Sequence, residues 1–497
     1  MLSIQSGLLY VFVCVFAPIR AQYSVPEVTI QVIKSKGIRV FLPDGENNIG
    51  ITSFLFDGLL YKENATTLTE NNVIGSIWGF GAKQKTGGFL FEDPTVDIKL
   101  KQRIRYHLFV STGFGQLKSP NSDGISNLTL TGYTSPTRLY FVNSVVDPSE
   151  RGPHCRETAT KVRGRRVCSG ETIFEDNFDT FREENWQIAH YIPIDHPEHP
   201  FVSYQRLQNN PTVTVENGTL RISPKLQQDL FQPQGKSILS GTLDLSSGCT
   251  ELRTCSMSSI GVDIVPPVVS GRVTSARFAF TYGTIYVRAK LPQGDWLYPE
   301  ILLEPLSKKY GTLNYASGVL KVAMARGNTD VIAERYSNNW LVGGPILNSK
   351  CRTALEFYHK KIEDNRLWGD DFHEYALTWT PTEIVLAVDG EQWGRYTPGA
   401  TGLRSWLPVS CRGDWFELLN NGGIMAPFDD HFYITLGVAV GGIVEFADGL
   451  TTGDQIPKPW RNKGRKAAFS FWGDKDNWYP SWTQPDLLVD YVKVVAL

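Results

Sequence analysis

The sequence predicts an all-β protein of two domains: a small N-terminal immunoglobulin-like β-sandwich and a large C-terminal β-sandwich of jelly-roll size. Three observations lead there. Apolar and polar residues alternate with period two through most of the chain, and no long helical periodicity interrupts them. The 45 Gly and 28 Pro punctuate that alternation with turns. At 497 residues the chain also exceeds the roughly 250–300 that a single core organises.

Composition narrows the function. Lys and Arg number 49 against 51 Asp and Glu, so the near-neutral balance argues against nucleic acid as the main partner and for an uncharged ligand. Aromatic residues make up 12%, with 13 Trp and 20 Tyr, enough to leave flat rings for polar ligands. No pattern calls for a cofactor.

The chain opens MLSIQSGLLYVFVCVFAPIRA, whose short apolar run ends in a small-residue site, so residues 1–21 are expected to be a secretory signal. No other run approaches the roughly 18 apolar residues of a membrane span, which predicts a secreted, extracellular product that does not span a membrane. Of 7 Cys, Cys14 leaves with the signal. The other six (Cys155, Cys168, Cys249, Cys255, Cys351, Cys411) are an even number in an oxidising compartment, and three disulfides are expected. Their connectivity has 15 possibilities; short loops favour Cys155 with Cys168 and Cys249 with Cys255, leaving Cys351 with Cys411. The spacings fit no zinc pattern. Sequons place candidate glycans on Asn64, Asn127 and Asn217.

Residues 22–134 read as the first sandwich. The stretch VTIQVIKSKGIRVFLPDG alternates and turns at Asp44-Gly45, ITSFLFDGLL resumes, and VDIKLKQRIRYHLFV reads as one long strand. In GSIWGFG, glycine-rich backbone surrounds Trp78, which reads either as an exposed ring that offers its face to a sugar or as a plug of the core. Covering roughly 100 Å² of apolar surface there would contribute about 2 kcal/mol, enough for weak binding. Residues 135–170, with Arg163, Arg165 and Arg166 between Cys155 and Cys168, read as a basic linker. The same cluster could instead be a protease-sensitive site or a patch for acidic lipid A or a protease.

Residues 171–497 read as the second sandwich. At its centre lies SGVLKVAMARGN, residues 317–328, where Val319, Lys321 and, after a one-residue slip, Met324 share one face of a bulged strand. That face holds no carboxylate. Glu300 and Glu304 on the preceding strand, with Glu334 beyond Asp330, read equally as surface carboxylates or as acids that could substitute. The cluster Asp195-His196-Pro197-Glu198-His199 reads as a solvated turn, and Arg412-Gly413-Asp414 as a chance match to an adhesion motif.

Several motifs carry a family resemblance. The segments YSVPE, KGIRV and LPDG near the N-terminus resemble the glucan-binding domain of insect β-1,3-glucan recognition proteins. GTIYVRAKLPQGDWLYP, FHEYALTWTP with VDG, PFDDHFYITLGVAVGG and DYVKV resemble, in order, the laminarinase-like domain of that family and of β-1,3-glucanases. Glucan-cleaving members read roughly SGEIDIxExRGN where this chain has SGVLKVAMARGN. The resemblance implies that Val319 replaces the nucleophile, Lys321 the assisting aspartate and Met324 the acid/base. A retaining glycosidase needs two carboxylates about 5–5.5 Å apart, so the expectation is a protein without catalytic residues. The resemblance further implies Asp44, Trp78, Trp296, Arg326 and Asn328 as ligand-binding residues. It implies β-1,3-glucan as ligand, with lipopolysaccharide or lipoteichoic acid as further ones, and a serine protease zymogen of the prophenoloxidase or Toll cascade as partner. By the same resemblance the protein is expected in haemolymph as an innate-immune pattern-recognition receptor of the Gram-negative bacteria-binding kind. The rival reading is a secreted β-1,3-glucanase working through displaced carboxylates.

Overall fold

The computed structural model describes residues 25–33, 36–43, 50–63, 68–83, 88–114, 129–135, 137–142, 157–162, 167–251, 255–275, 277–330, 335–453 and 455–497. The expected signal peptide, Asp44, Asn64, Asn127, Cys155, Arg163, Arg165, Arg166 and Glu334 lie outside them. The chain divides into two compact units, 1–148 and 149–497.

The first unit is the predicted sandwich. One antiparallel sheet runs in the order Thr29–Val32, Ile38–Leu42, Phe89–Asp93, Ala82–Lys83. The other runs Val73–Phe80, Gly50–Tyr61, Arg103–Phe114, Thr129–Thr134, with Arg138–Phe141 also paired to Arg103–Phe114. Alternation drives both: Val40 and Leu42 of one sheet meet Phe54, Phe56, Ile104 and Leu108 of the other in a single core. Phe56 stacks on Phe91 at 5.5 Å and on Tyr106 at 5.2 Å. The long strand starts at Arg103 and not at Val96, because the chain turns at Leu100 and Lys101, the latter with φ of 66°. Between the sheets the chain crosses at Gly81, where a Cβ would lie 2.3 Å from the Phe54 ring.

The span expected as a linker narrows from both ends. Arg138–Phe141 adds to the first unit, and Lys161–Val162 pairs with Phe280–Thr281 of the second. Short alternating runs such as RLYF carry too little pattern to register as strands.

The second unit packs a nine-stranded sheet on an eight-stranded one. Val287, Ala289, Tyr375 and Leu377 of the eight-stranded sheet share a core with Ile301, Leu303, Leu320, Leu436 and Val438 of the nine-stranded sheet. The motif strands lie side by side: Phe432–Val440 pairs with Leu297–Pro305, which pairs with Val319–Met324, then Trp340–Ile346. Disulfides join Cys249 to Cys255 and Cys351 to Cys411, as the short-loop pairing expected, and Cys168 is also disulfide-bonded. Asn217 sits exposed in the turn between Val213–Glu216 and Thr219–Ile222. No helix among the described residues is long and apolar enough to cross a membrane.

Candidate functional site

The strand at the centre has the predicted bulge. Val319 opposes Ile346 and Lys321 opposes Gly344, but Met324 opposes Val342, so three steps on one strand match two on the other. Leu320, Val322, Ala323 and Met324 all belong to the core, and Lys321 Nζ comes within 3.5 Å of Met324 Sδ. Lys321 is adjacent in register to Leu302, which is half-buried.

Charges fill the space over Lys321. Glu445, 1% exposed, lies 3.7 Å from Lys321 Nζ and 3.1 Å from Arg326, and it also contacts Arg352. Arg352 in turn binds Glu198 and reaches Glu356 at 3.9 Å. Burial alone would raise the Glu445 carboxyl, but Arg352, Lys321 and Arg326 hold it down at about 2. Burial and the neighbouring Arg352 push the Lys321 ammonium down to about 8, against the pull of Glu445. This network ties the turn around Glu198, the short helix Ser349–Leu355 and the segment after Val440 across the sheet.

A second buried network lies beside it. Arg272 donates to Glu300 at 3.2 Å and to Glu304 at 2.6 Å; Tyr204 donates to Glu300 at 2.8 Å, and Thr435 to Glu304. Burial raises the Glu304 carboxyl, but Arg272 and Thr435 outweigh it and the pKa falls. Neither acid is a free surface carboxylate: both are tied to one guanidinium.

The flanking motif residues make contacts within the fold. Trp296, 1% exposed with φ of 65°, sits edge-on to Phe446 at 5.3 Å and Trp460 at 5.2 Å, and so offers no face to a sugar. Asn328 is fully buried, accepting from the Trp296 N–H at 3.1 Å and donating to Asp295 at 2.9 Å. Arg326 donates to the carbonyls of Glu445 at 2.9 Å and Arg335 at 2.7 Å, and lies over the Tyr336 ring at 4.7 Å. Gly327 passes so close to Gly294 that a Cβ would fall 2.4 Å from its carbonyl oxygen. The Arg-Gly-Asn and Gly-Asp-Trp segments are thus zipped together, and their residue types are set by that contact.

Next to the filled region a cleft of about 540 Å³ stays open, and Val319 lines it. Half-buried Tyr191, Tyr315 and Tyr433 line it too, with His196, Arg272 and Glu304. His196, expected in a solvated turn, meets the Tyr315 ring edge-on at 5.8 Å, and burial lowers its pKa. Its neighbour Glu198 is the buried partner of Arg352. Sequence reasoning missed Glu445, Arg352 and the three tyrosines. The acid at 445 inside the apolar run GGIVEF is the one signal that pointed to a buried charge.

In the first unit Trp78 is 47% exposed, on an edge strand opposite Asp57. Strand alternation exposes it, since Ile74, Ser76, Trp78 and Phe80 all point outward; Gly75 and Gly79 adopt no left-handed conformation. Leu55 pairs with Phe80 on one side and with exposed Phe109 on the other, extending the aromatic face across three strands.

Comparison with known proteins gives the following. Residues 24–133 match a carbohydrate binding domain (family 32). Over 96% of this chain and 96% of the relative, the sequence is 47% identical to a β-1,3-glucan-binding protein of Hyphantria cunea. It is 35% identical to β-1,3-glucan-binding protein 1 of Manduca sexta over 95% of this chain and 96% of the relative. Gram-negative bacteria-binding protein 1 of Drosophila melanogaster is 32% identical over the same shares, 95% and 96%. Among solved structures, the laminarinase of Rhodothermus marinus aligns with a TM-score of 0.41 at 20% identity, covering 67% of this chain and 100% of that one.

Proposed function

Because the chain belongs to the family of insect β-1,3-glucan-binding and Gram-negative bacteria-binding proteins, we propose that it is a secreted pattern-recognition protein. In this reading it binds microbial β-1,3-glucan, and bacterial surface polymers such as lipopolysaccharide or lipoteichoic acid, without cleaving them. Bound, it engages a serine protease zymogen of the prophenoloxidase or Toll cascade. The observation that carries the non-catalytic half is the set Val319, Lys321 and Met324. A retaining mechanism needs one carboxylate to attack and another to protonate the leaving oxygen. None of these three side chains does either. Glu445, the carboxylate beside Lys321, is held ionised near pKa 2 and faces three cations, so it has no proton to donate.

Binding falls first to the outer face around Trp78 in the N-terminal module, 22–134. Part of its aromatic surface is exposed, and glucose presents an apolar face of matching size. The C-terminal domain, 171–497, adds its open cleft. Two weak sites on one chain gain roughly 10² to 10⁴ in avidity on a repetitive wall.

The test is incubation with insoluble β-1,3-glucan, measuring pelleted protein and released reducing ends together. Pelleting without sugar release is expected. Release that survives repurification and disappears in Glu300→Gln or Glu304→Gln would overturn the non-catalytic half. Failure to pellet with glucan and with bacterial surfaces alike would overturn the whole.

A further inference from the structure

We propose that a small polar pocket of the second unit, between the segment 181–188 and the side chains of Arg206 and Arg277, binds a single acidic sugar, one ring carrying a phosphate or a carboxylate. The pocket shares no lining residue with the cleft beside Val319, and the proposal goes beyond the glucan-recognition reading without resting on it.

Charge is the first observation. Arg206 and Arg277 both line the pocket, with Glu183 as the one carboxylate beside them. Among the described residues neither guanidinium has a carboxylate within ion-pair distance, although neighbouring cations are taken: Arg182 by Asp176, and Arg272 by Glu300 and Glu304. Two unpaired guanidiniums on one pocket repel each other until an anion sits between them. Each presents a planar fork of donors that matches the oxygens of a phosphate or a carboxylate.

The walls are fixed by the fold. Asp176 accepts from the Phe178 N–H at 3.0 Å, Arg182 at 2.7 Å, Asn185 at 2.9 Å and the Trp186 indole at 2.9 Å, which clamps the segment carrying Phe181 and Glu183. That segment ends in Gln187–Ile188, which pairs with Val273 and Thr274. The Arg206 N–H donates to His190 Nδ1 at 3.1 Å, and its guanidinium lies so close to Gly248 that a Cβ there would fall 2.9 Å from Nη2. Arg277 stands in a turn that the Phe278 N–H closes on the Ser275 carbonyl at 2.7 Å.

Size and lining select the ligand. A volume of about 280 Å³ falls just under the roughly 300 Å³ at which sites for drug-sized molecules begin, so one ring fits and a chain does not. Half-buried Phe181 offers an apolar face, while Gln187, Thr274 and the carbonyl of Asn185, whose amide nitrogen is held by Asp176, offer partners for hydroxyls. A bare phosphate leaves the aromatic end empty. A neutral sugar leaves the guanidiniums unpaired.

The experiment titrates the full chain calorimetrically at low ionic strength with glucose 6-phosphate, glucuronate, glucose and inorganic phosphate. At least one acidic sugar is expected to bind tenfold or more tightly than glucose or phosphate alone, and the tighter of the two identifies the acidic group. Arg206→Gln and Arg277→Gln, both at exposed positions, should each weaken that binding about tenfold with unchanged thermal unfolding, the loss of one charge-assisted contact. Arg206→Lys keeps the charge without the fork and should recover only part of the loss. Glu183→Gln removes the opposing carboxylate and should tighten binding about threefold. Lys463→Gln, at an exposed cation outside the pocket, should change nothing. Binding of neither acidic sugar, equal binding of glucose or of phosphate alone, or indifference to both arginine variants each overturns the proposal. None of these outcomes bears on pelleting with insoluble glucan, so the two readings fail separately.

Discussion

Two sheet faces in this protein point away from their cores and have opposite fates. The outer face of the five-stranded sheet in the first unit keeps Ile74, Trp78, Phe80 and Phe109 in solvent, each at least a third exposed. The corresponding face of the nine-stranded sheet in the second unit carries Arg272, Glu300 and Lys321, all nearly inaccessible. Loops make the difference. Where they cover a sheet face it becomes an interior, and an interior must either be apolar or pair its charges. Where the face stays exposed, as around Trp78, aromatic rings reach solvent at the cost of exposed apolar surface.

The largest expected contrast is between two tryptophans. Trp296→Ala should cost about 3–5 kcal/mol in urea unfolding, because it empties a site walled by Phe446 and Trp460. Trp78→Ala should cost under about 1 kcal/mol and yet weaken retention on insoluble glucan by tenfold or more, in line with the roughly 2 kcal/mol its covered face would supply. Similar destabilisation by both would erase the distinction between the two faces.

A second contrast compares charges. Glu445→Gln leaves Arg352, Arg326 and Lys321 facing one another without their shared anion, and should destabilise by about 3–5 kcal/mol. Asp490→Asn removes the partner of Arg288 in a pair where both side chains are more than a third exposed, and should cost less than about 1 kcal/mol. Thermal melts of the two variants side by side decide it: a Glu445→Gln protein as stable as Asp490→Asn would mean the network is solvated.

These contrasts mark what was legible in the sequence. The bulge between Lys321 and Met324 and the alternation that leaves Trp78 exposed follow from local pattern, since alternation and its slips are written within ten residues. The burial of Trp296 is not local: Gly-Asp-Trp reads as a turn offering a ring, and the distant Phe446 and Trp460 pack against it. The buried ionic network is hidden for the same reason, since Arg352 and Glu198 are 154 residues apart. Glu198 looked solvated because its neighbours are prolines, histidines and an aspartate, and nothing nearby announces a buried guanidinium. Trp78 was legible for a partly wrong reason, its exposure coming from strand alternation and not from glycine conformations.

The smallest expected effect tests whether the covered face behaves as an interior toward protons. Lys321 titrates near 8 when folded and near the 10.5 of an exposed lysine when unfolded. Below pH 8 both states carry the proton and the folded state bears the full cost of burying it. Between about 8 and 10.5 the unfolded state binds more protons than the folded one, so stability rises with pH across that window. Burial and Arg352 disfavour the ammonium while Glu445, Glu356 and Glu198 attract it, and its depressed pKa says that burial and repulsion win. Lys321→Leu removes the proton and the cost together. Glu445 keeps both guanidiniums, so the variant should be at least as stable as wild type at pH 7, by up to about 2 kcal/mol. The advantage should shrink toward zero by pH 10.5, read as the difference between the two unfolding curves so that tyrosine titration cancels. A difference that stays flat from pH 7 to 10.5 would place Lys321 in water.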